Sequence, residues 1–153
     1  MGDGAVAVQL RRARQNLGLS QRALAIQAGV PQPNIAAYES GRRTPTSQTL
    51  EKLNAVLSVP TLATLRQSRD LIVGAAARRK ISNVRVFGSV VHGSATRNSD
   101  IDLLVHPAAD TSIFDMAGFM SEVEELLGRS VDVISDRGVG SAMERIRAEA
   151  VPL

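Results

Sequence analysis

Asp100-Ile101-Asp102 sets two carboxylates one residue apart in an apolar run, and Val131-Asp132-Val133 sets a third in another. Alternate residues of a strand share a face, so Asp100 and Asp102 point the same way while Ile101 and Leu103 turn into a core. Carboxylates side by side repel one another and call for a cation. An all-oxygen set of this kind suits Mg²⁺, which typically binds through one or two protein carboxylates together with substrate phosphates. If the strand of Asp132 neighbours that of Asp102, the three acids converge. A pair of ions about 4 Å apart can then activate an attacking hydroxyl and stabilise a leaving pyrophosphate. Phe87-Gly88-Ser89 supplies the complementary half. A glycine at a strand end lets a phosphate approach the backbone closely, and the Ser89 hydroxyl with nearby N–H groups can hold terminal phosphates.

These groups need strands to carry them, and three short β-like runs fit: residues 84–87, 101–105 and 131–134. Leu62, Leu65, Ile72 and Ala76 predict a helix before them, reaching about Lys80. Between the second and third runs, Met116, Phe119, Val123 and Leu126 share one helical face. That helix opens on the capping-box spacing Ser112 to Asp115, and Gly128 follows its end. Ser141 and Glu144 repeat the spacing before a last helix bearing Met143 and Ile146. Helices alternating with strands imply an α/β layer.

The first third of the chain has a different pattern, that of four short helices. Val6, Leu10, Ala13 and Leu17 fall on one face, with Gly18 as a stop. Ser20 offers an N-cap for a second helix with Leu24, Ala25 and Ala28, ending at Gly29. Pro31, Pro33, Ile35 and Tyr38 mark a third, the prolines tolerated in its first turn. Thr46 caps a fourth with Leu50, Leu53 and Leu57. Ser58-Val59-Pro60-Thr61 then reads as a boundary. Two short helices joined by a tight turn at Gly29 are what a DNA-reading helix-turn-helix requires. The competing reading is a helical dimerisation module with solvated arginines.

Composition limits the remaining possibilities. The chain has 153 residues, 44% apolar and 22% charged, enough for two small folded domains and too apolar for a disordered tail. Aromatics are confined to Tyr38, Phe87, Phe114 and Phe119, which argues against single-strand binding by base stacking. The absence of Cys excludes disulfide frameworks, Cys-ligated zinc and thiol nucleophiles, and permits a reducing cytosol. No apolar run of about 18 residues exists, so neither a signal peptide nor a membrane span is expected, and a cytoplasmic protein is. Through Pro60 there are seven Lys/Arg against three Asp/Glu, +4; the remainder has eleven against twelve, −1. The basic part is the one suited to a polyanion.

The stretch from Leu19-Ser20-Gln21 through Ala28-Gly29-Val30, Ile35, Tyr38-Glu39, Gly41-Arg42-Arg43-Thr44-Pro45 and Thr49 to Leu53 resembles the Cro/phage-repressor (XRE) helix-turn-helix family. That resemblance implies double-stranded DNA, the chain's own promoter, as a partner. It puts Gln21 near a phosphate and Gln32, Pro33, Asn34 and Ala37 at base edges. Gln32 and Asn34 can pair bidentately with adenine, whereas Pro33 and Ala37 offer only shape and methyl contacts, so modest discrimination is expected. Arg42 and Arg43 would bind phosphate.

The Gly88-Ser89, ten residues, Asp100-x-Asp102 spacing is similar to that of the DNA polymerase β-type nucleotidyltransferases. Ser99 to Val105, Leu126-Leu127-Gly128-Arg129 before Val131-Asp132-Val133, and Ile146 to Ala150 resemble its minimal nucleotidyltransferase branch. The resemblance implies two domains: an all-α helix-turn-helix bundle over residues 1–58, a linker at 59–61, and over 62–153 an α/β nucleotidyltransferase fold with a small mixed sheet. It implies transfer of AMP from ATP to a hydroxyl. Gly88 and Ser89 would hold the nucleotide, Asp100 and Asp102 would ligate two Mg²⁺ ions, and Asp132 would ligate one and accept the hydroxyl proton. His92 stands where relatives often carry arginine, which removes a permanent charge from the phosphate loop. Such proteins are commonly antitoxins of HEPN-type toxins, which implies a homodimer or a toxin–antitoxin hetero-oligomer. The alternatives are a non-catalytic repressor with a partner- or ligand-binding second domain, and an enzyme acting on a small molecule such as an aminoglycoside. The small size of the second domain argues against the latter. Taken apart from any function, His106 reads as a loop residue, Arg85 as a surface strand position, and Arg78-Arg79-Lys80 as a solvated helix end.

Overall fold

Ser20 and Thr46 accept hydrogen bonds from the backbone N–H groups of Ala23 and Thr49, three residues on in each case, and so start two of the helices. The computed structural model describes residues 3–153; Met1 and Gly2, the first residues of the expected DNA-binding domain, lie outside the described residues. The chain divides into two compact units between Val59 and Pro60. The first holds α1 (Asp3–Asn16), α2 (Gln21–Ala28), α3 (Gln32–Glu39) and α4 (Ser47–Leu57). Gly29 ends α2 in the left-handed region at φ 63°, a conformation other residues adopt at a cost. Pro31 stands at the N-cap of α3 without a side-chain hydrogen bond. Leu24, Ile35 and Leu53 are fully buried, and Leu10, Ala25, Ala28, Val30 and the single aromatic Tyr38 complete the core. Burial of each large aliphatic side chain contributes about 1.5–3 kcal/mol.

The second unit runs α5 (Leu62–Gln67), α6 (Arg69–Ala77), β1 (Ile81–Phe87), α7 (Ser89–His92), β2 (Ile101–Pro107), α8 (Ile113–Leu127), β3 (Val131–Ser135), α9 (Ser141–Glu149) and β4 (Val151–Pro152). The sheet has the order β3-β2-β1-β4. β2 and β3 are parallel, and the other two pairings are antiparallel, so the sheet is mixed. Ile101, Leu103, Val105, Val86 and Val131 form one face. They pack against Ile72, Ala75 and Ala76 of α6 and Phe119 and Val123 of α8 in a single core. Asp102, Leu104 and His106 alternate onto the other face. No helix among the described residues is long and apolar enough to cross a membrane.

Several expectations need correction. The helix expected over 62–80 is two helices, broken at Ser68, whose N–H bonds the Leu65 carbonyl; a Thr61/Thr64 capping box starts the first. The Ser112/Asp115 capping box is present, but Ser141 does not cap α9, whose N-cap is Gly140 with no side-chain bond. α7 and β4 were not expected. His106 lies within β2, not in a loop, and Arg85 is half-buried against Asp136. Arg78 and Arg79 pair with Glu122, and Lys80 with Asp110, so that basic run is tied down and not simply solvated.

Candidate active site

The parallel register pairs Asp102 with Asp132, and the antiparallel register pairs Asp102 with Phe87. Directly paired residues share a face, so the two carboxylates stand together on the sheet face away from α6 and α8, beside the end of β1. Asp100 precedes β2 by one residue and is exposed. Burial, and then the charges of Asp132, Asp100 and Glu149, raise the Asp102 carboxyl above its ordinary value. That is the signature of acids crowded without a counter-charge. None of Asp100, Asp102 and Asp132 forms a salt bridge with Lys, Arg or His among the described residues.

Gly88 follows β1 with φ 71° and ψ −145°, a region nearly restricted to glycine. A Cβ there would fall 2.4 Å from Asp102 Oδ2. The turn therefore requires glycine for two reasons, its backbone conformation and the carboxylate against it. Ser89 opens α7, and its carbonyl accepts from the N–H groups of Ser94 and Ala95 at 3.0 and 3.1 Å, which folds the loop back on itself. The structure thus sets Gly88, Ser89, Asp102, Asp132 and Asp100 around one end of the β1–β2–β3 sheet. The donors are all oxygen and uncompensated, a set that fits a hard divalent cation such as Mg²⁺. They are grouped but not closed: among the described residues no three His, Asp or Glu side chains are gathered tightly enough to ligate one ion as they stand.

Three contributors escaped the sequence reading. Arg129 Nη1 donates to the Arg97 and Ser99 carbonyls at 2.6 and 3.2 Å, bracing the loop that delivers Asp100. Its position in the Leu126–Val133 motif was the only signal. Glu149, at the end of α9, accepts from Gly88 N–H at 3.2 Å, and its other oxygen lies 3.2 Å from His92 Nε2. Asp136 binds Arg85 at 2.6 Å and His106 Nδ1 at 2.8 Å, joining the exit of β3 to β1 and β2.

In the first unit, Arg14 and Glu39 form a bidentate buried pair with side chains 11% and 3% exposed. Gln21 Nε2 donates to Glu39 Oε2 at 2.9 Å, and Gln21 Oε1 accepts from Gln32 Nε2 at 3.1 Å. A hydrogen-bonded relay thus runs from the buried pair to the start of α3 and sets the orientation of Gln32. Burial pushes the Glu39 carboxyl up, but bonds from Arg14 and Gln21 and the Arg14 charge outweigh it and hold the carboxyl below its ordinary value. Arg42 Nε donates to the Ser40 hydroxyl at 3.0 Å, and Arg43 lies 3.5 Å from Asn34 Oδ1, both on an exposed surface.

Known proteins resemble the chain in both parts. A helix-turn-helix family model matches residues 10–63, and a polymerase beta, nucleotidyltransferase model matches residues 71–150. A Methanocaldococcus jannaschii protein, MJ0435, whose assigned name is that of a protein adenylyltransferase, is 31% identical over 88 residues, 57% of this chain and 95% of its own length. A solved structure described as a minimal nucleotidyltransferase is 40% identical with a TM-score of 0.56, covering 61% of this chain and 97% of its own. A crystal structure of a toxin–antitoxin with AMP-PNP is 22% identical with a TM-score of 0.46, covering 53% of this chain and 67% of its own.

Proposed function

The chain belongs to the polymerase beta nucleotidyltransferase family, and from that premise we propose that it is a cytoplasmic antitoxin and autorepressor that transfers AMP from ATP to a hydroxyl of a HEPN-type toxin. Residues 1–58 form the promoter-binding domain, 59–61 the linker and 62–153 the transferase, acting as a homodimer or within a toxin–antitoxin hetero-oligomer. The observation that carries the transferase reading is the approach of Gly88 to Asp102 beside Asp132, which sets a glycine turn directly against paired acids. The helix-turn-helix fold ahead of it supports the repressor role.

Asp100, Asp102 and Asp132 would hold Mg²⁺, which when bound supplies charge neutralisation for the triphosphate and Lewis acidity toward the reacting oxygens. Gly88 N–H and the Ser89 hydroxyl receive the terminal phosphates. Asp132 takes the proton of the toxin hydroxyl as its oxygen attacks the α-phosphorus. The bond from the α-phosphorus to the bridging oxygen breaks, pyrophosphate departs, and AMP remains esterified to the toxin.

The test is incubation of the full chain with Mg²⁺, labelled ATP and the product of the neighbouring gene. The toxin should acquire label, and Asp100→Ala with Asp102→Ala should abolish it. The alternative is a non-catalytic repressor whose second domain only binds a partner or ligand, and one observation favours it: Glu149 already occupies the Gly88 N–H. Neutralisation of the toxin without label, surviving both substitutions, would establish that alternative.

A further inference from the structure

Glu149 has no role in the transfer just described, yet it meets the phosphate loop from a fixed backbone. Two residues later β4 begins, pairing Val151 with Val86 and Pro152 with Arg85. Two residues earlier Arg147 Nε donates to the Asp136 carbonyl at 3.0 Å. From between these anchors the Glu149 side chain, 31% exposed, reaches Gly88 N–H with one oxygen and comes within 3.2 Å of His92 Nε2 with the other. It does so at an electrostatic cost, since it adds a negative charge beside Asp102, already crowded by Asp132 and Asp100. A carboxylate accepting from a backbone N–H and lying against an imidazole makes the contacts that a phosphate oxygen would make in the same loop.

We propose that Glu149 is an internal substitute for a phosphate group: its carboxylate occupies the donors of the Gly88–His92 loop and must swing away before a nucleoside polyphosphate can seat there. The inference rests on the nucleotidyltransferase reading of the site. Because α9 and β4 fix the backbone on either side, release is a side-chain rotation into solvent. Nucleotide affinity becomes the difference between two anions competing for one set of donors. A polyphosphate, with further contacts available at Ser89, displaces the carboxylate, whereas a monophosphate competes poorly, so the gate selects a nucleoside triphosphate over the monophosphate.

Titration of the full chain with a fluorescent ATP analogue, with and without Mg²⁺, tests this. Glu149→Gln removes the charge, and Glu149→Ala the whole contact; each should tighten nucleotide binding about tenfold, the lower end of what one charge-assisted hydrogen bond contributes. Glu149→Asp keeps the charge but shortens the reach, and should give an intermediate gain. Inorganic triphosphate, used as competitor, should show the same improvement, while adenosine should show none, which places the effect at the phosphate loop. Thermal melting identical to wild type confirms that each variant is folded. Nucleotide binding that is unchanged or weakened in Glu149→Gln overturns the gate while leaving the nucleotide site intact. If no folded form binds nucleotide at millimolar concentration, the nucleotidyltransferase reading falls and the gate with it.

Discussion

Gly88 and Asp102 approach so closely that a methyl group on Gly88 would stand 2.4 Å from the Asp102 carboxylate. Neither partner can retreat easily. Gly88 is held by its φ of 71°, and Asp102 by pairing with Phe87 and Asp132 on either side. Gly88→Ala should therefore lower unfolding stability by about 1–3 kcal/mol through backbone strain alone. It should also push Asp102 out of position and abolish nucleotide transfer. Denaturant melts and the labelling assay read the two effects separately. Full transfer activity in a folded Gly88→Ala variant would show that the close approach has no catalytic consequence.

Arg129 offers a milder perturbation of the same site. Its guanidinium bridges two carbonyls of the 97–99 loop, and Asp100 is the next residue. A lysine presents a point charge and does not reproduce the fork. Arg129→Ala should lower kcat for transfer about 100-fold, the cost of a displacement near 1 Å at a reacting group. The nucleotide KM should move much less, because Gly88 and Ser89 are untouched, and Arg129→Lys should recover part of the loss. Equal losses in kcat and KM would mean that Arg129 binds nucleotide instead of positioning the loop.

The first unit has its own weak point in acid. The Glu39 carboxyl is held below its ordinary value when folded, so it contributes stability that is complete above the unfolded carboxylate pKa of about 4.3 and is lost as pH falls through the folded value. Urea melts of this unit should show a stability loss on acidification below that point. Glu39→Gln should remove this pH-dependent step. At neutral pH, breaking the buried pair with Arg14 should cost about 3–5 kcal/mol, because the guanidinium is left buried without its partner. A pH profile unchanged by Glu39→Gln would assign the acid sensitivity to other groups.

Local signals and long-range contacts were unequally legible in the sequence. Ser20, Thr46 and Ser112 cap helices as their spacing indicates, because an N-cap bond spans only three residues. The alternation of Asp102 with Leu103 placed the carboxylate opposite the core for the same local reason. Ser68 broke a helix whose apolar spacing ran on undisturbed, since the break depends on a terminal hydrogen bond and not on side-chain pattern. Ser141 matched a capping box in composition, yet the chain enters α9 from Gly140 at φ 108°. Glu149 lies within the Ile146–Ala150 stretch, but nothing local marked it as a site residue. It meets Gly88 across 61 residues, and only the pairing of β4 with β1 brings the end of α9 to the phosphate loop.

DNA binding separates two kinds of side chain on the helix-turn-helix surface. Arg42 and Arg43 are exposed cations whose side chains meet only neutral oxygens, of Ser40 at 3.0 Å and Asn34 at 3.5 Å, and they can turn toward phosphate. Gln32, by contrast, is oriented through Gln21 and Glu39, an arrangement suited to a base edge, where direction matters. Arg42→Ala with Arg43→Ala should weaken binding to all sequences alike and reduce the slope of log K against log salt by about 2, roughly 0.9 for each phosphate that is no longer neutralised. Gln32→Ala should leave that slope unchanged and cost about 1–3 kcal/mol on the operator alone, narrowing the gap to random DNA. Gln21→Ala should act in the same direction as Gln32→Ala but more weakly, since it frees Gln32 without removing it. Salt titrations on operator and scrambled duplexes measure all three variants. If Gln32→Ala weakened both duplexes equally, Gln32 would be a backbone contact, and sequence discrimination would have to come from Asn34 or from the shape contacts of Pro33 and Ala37.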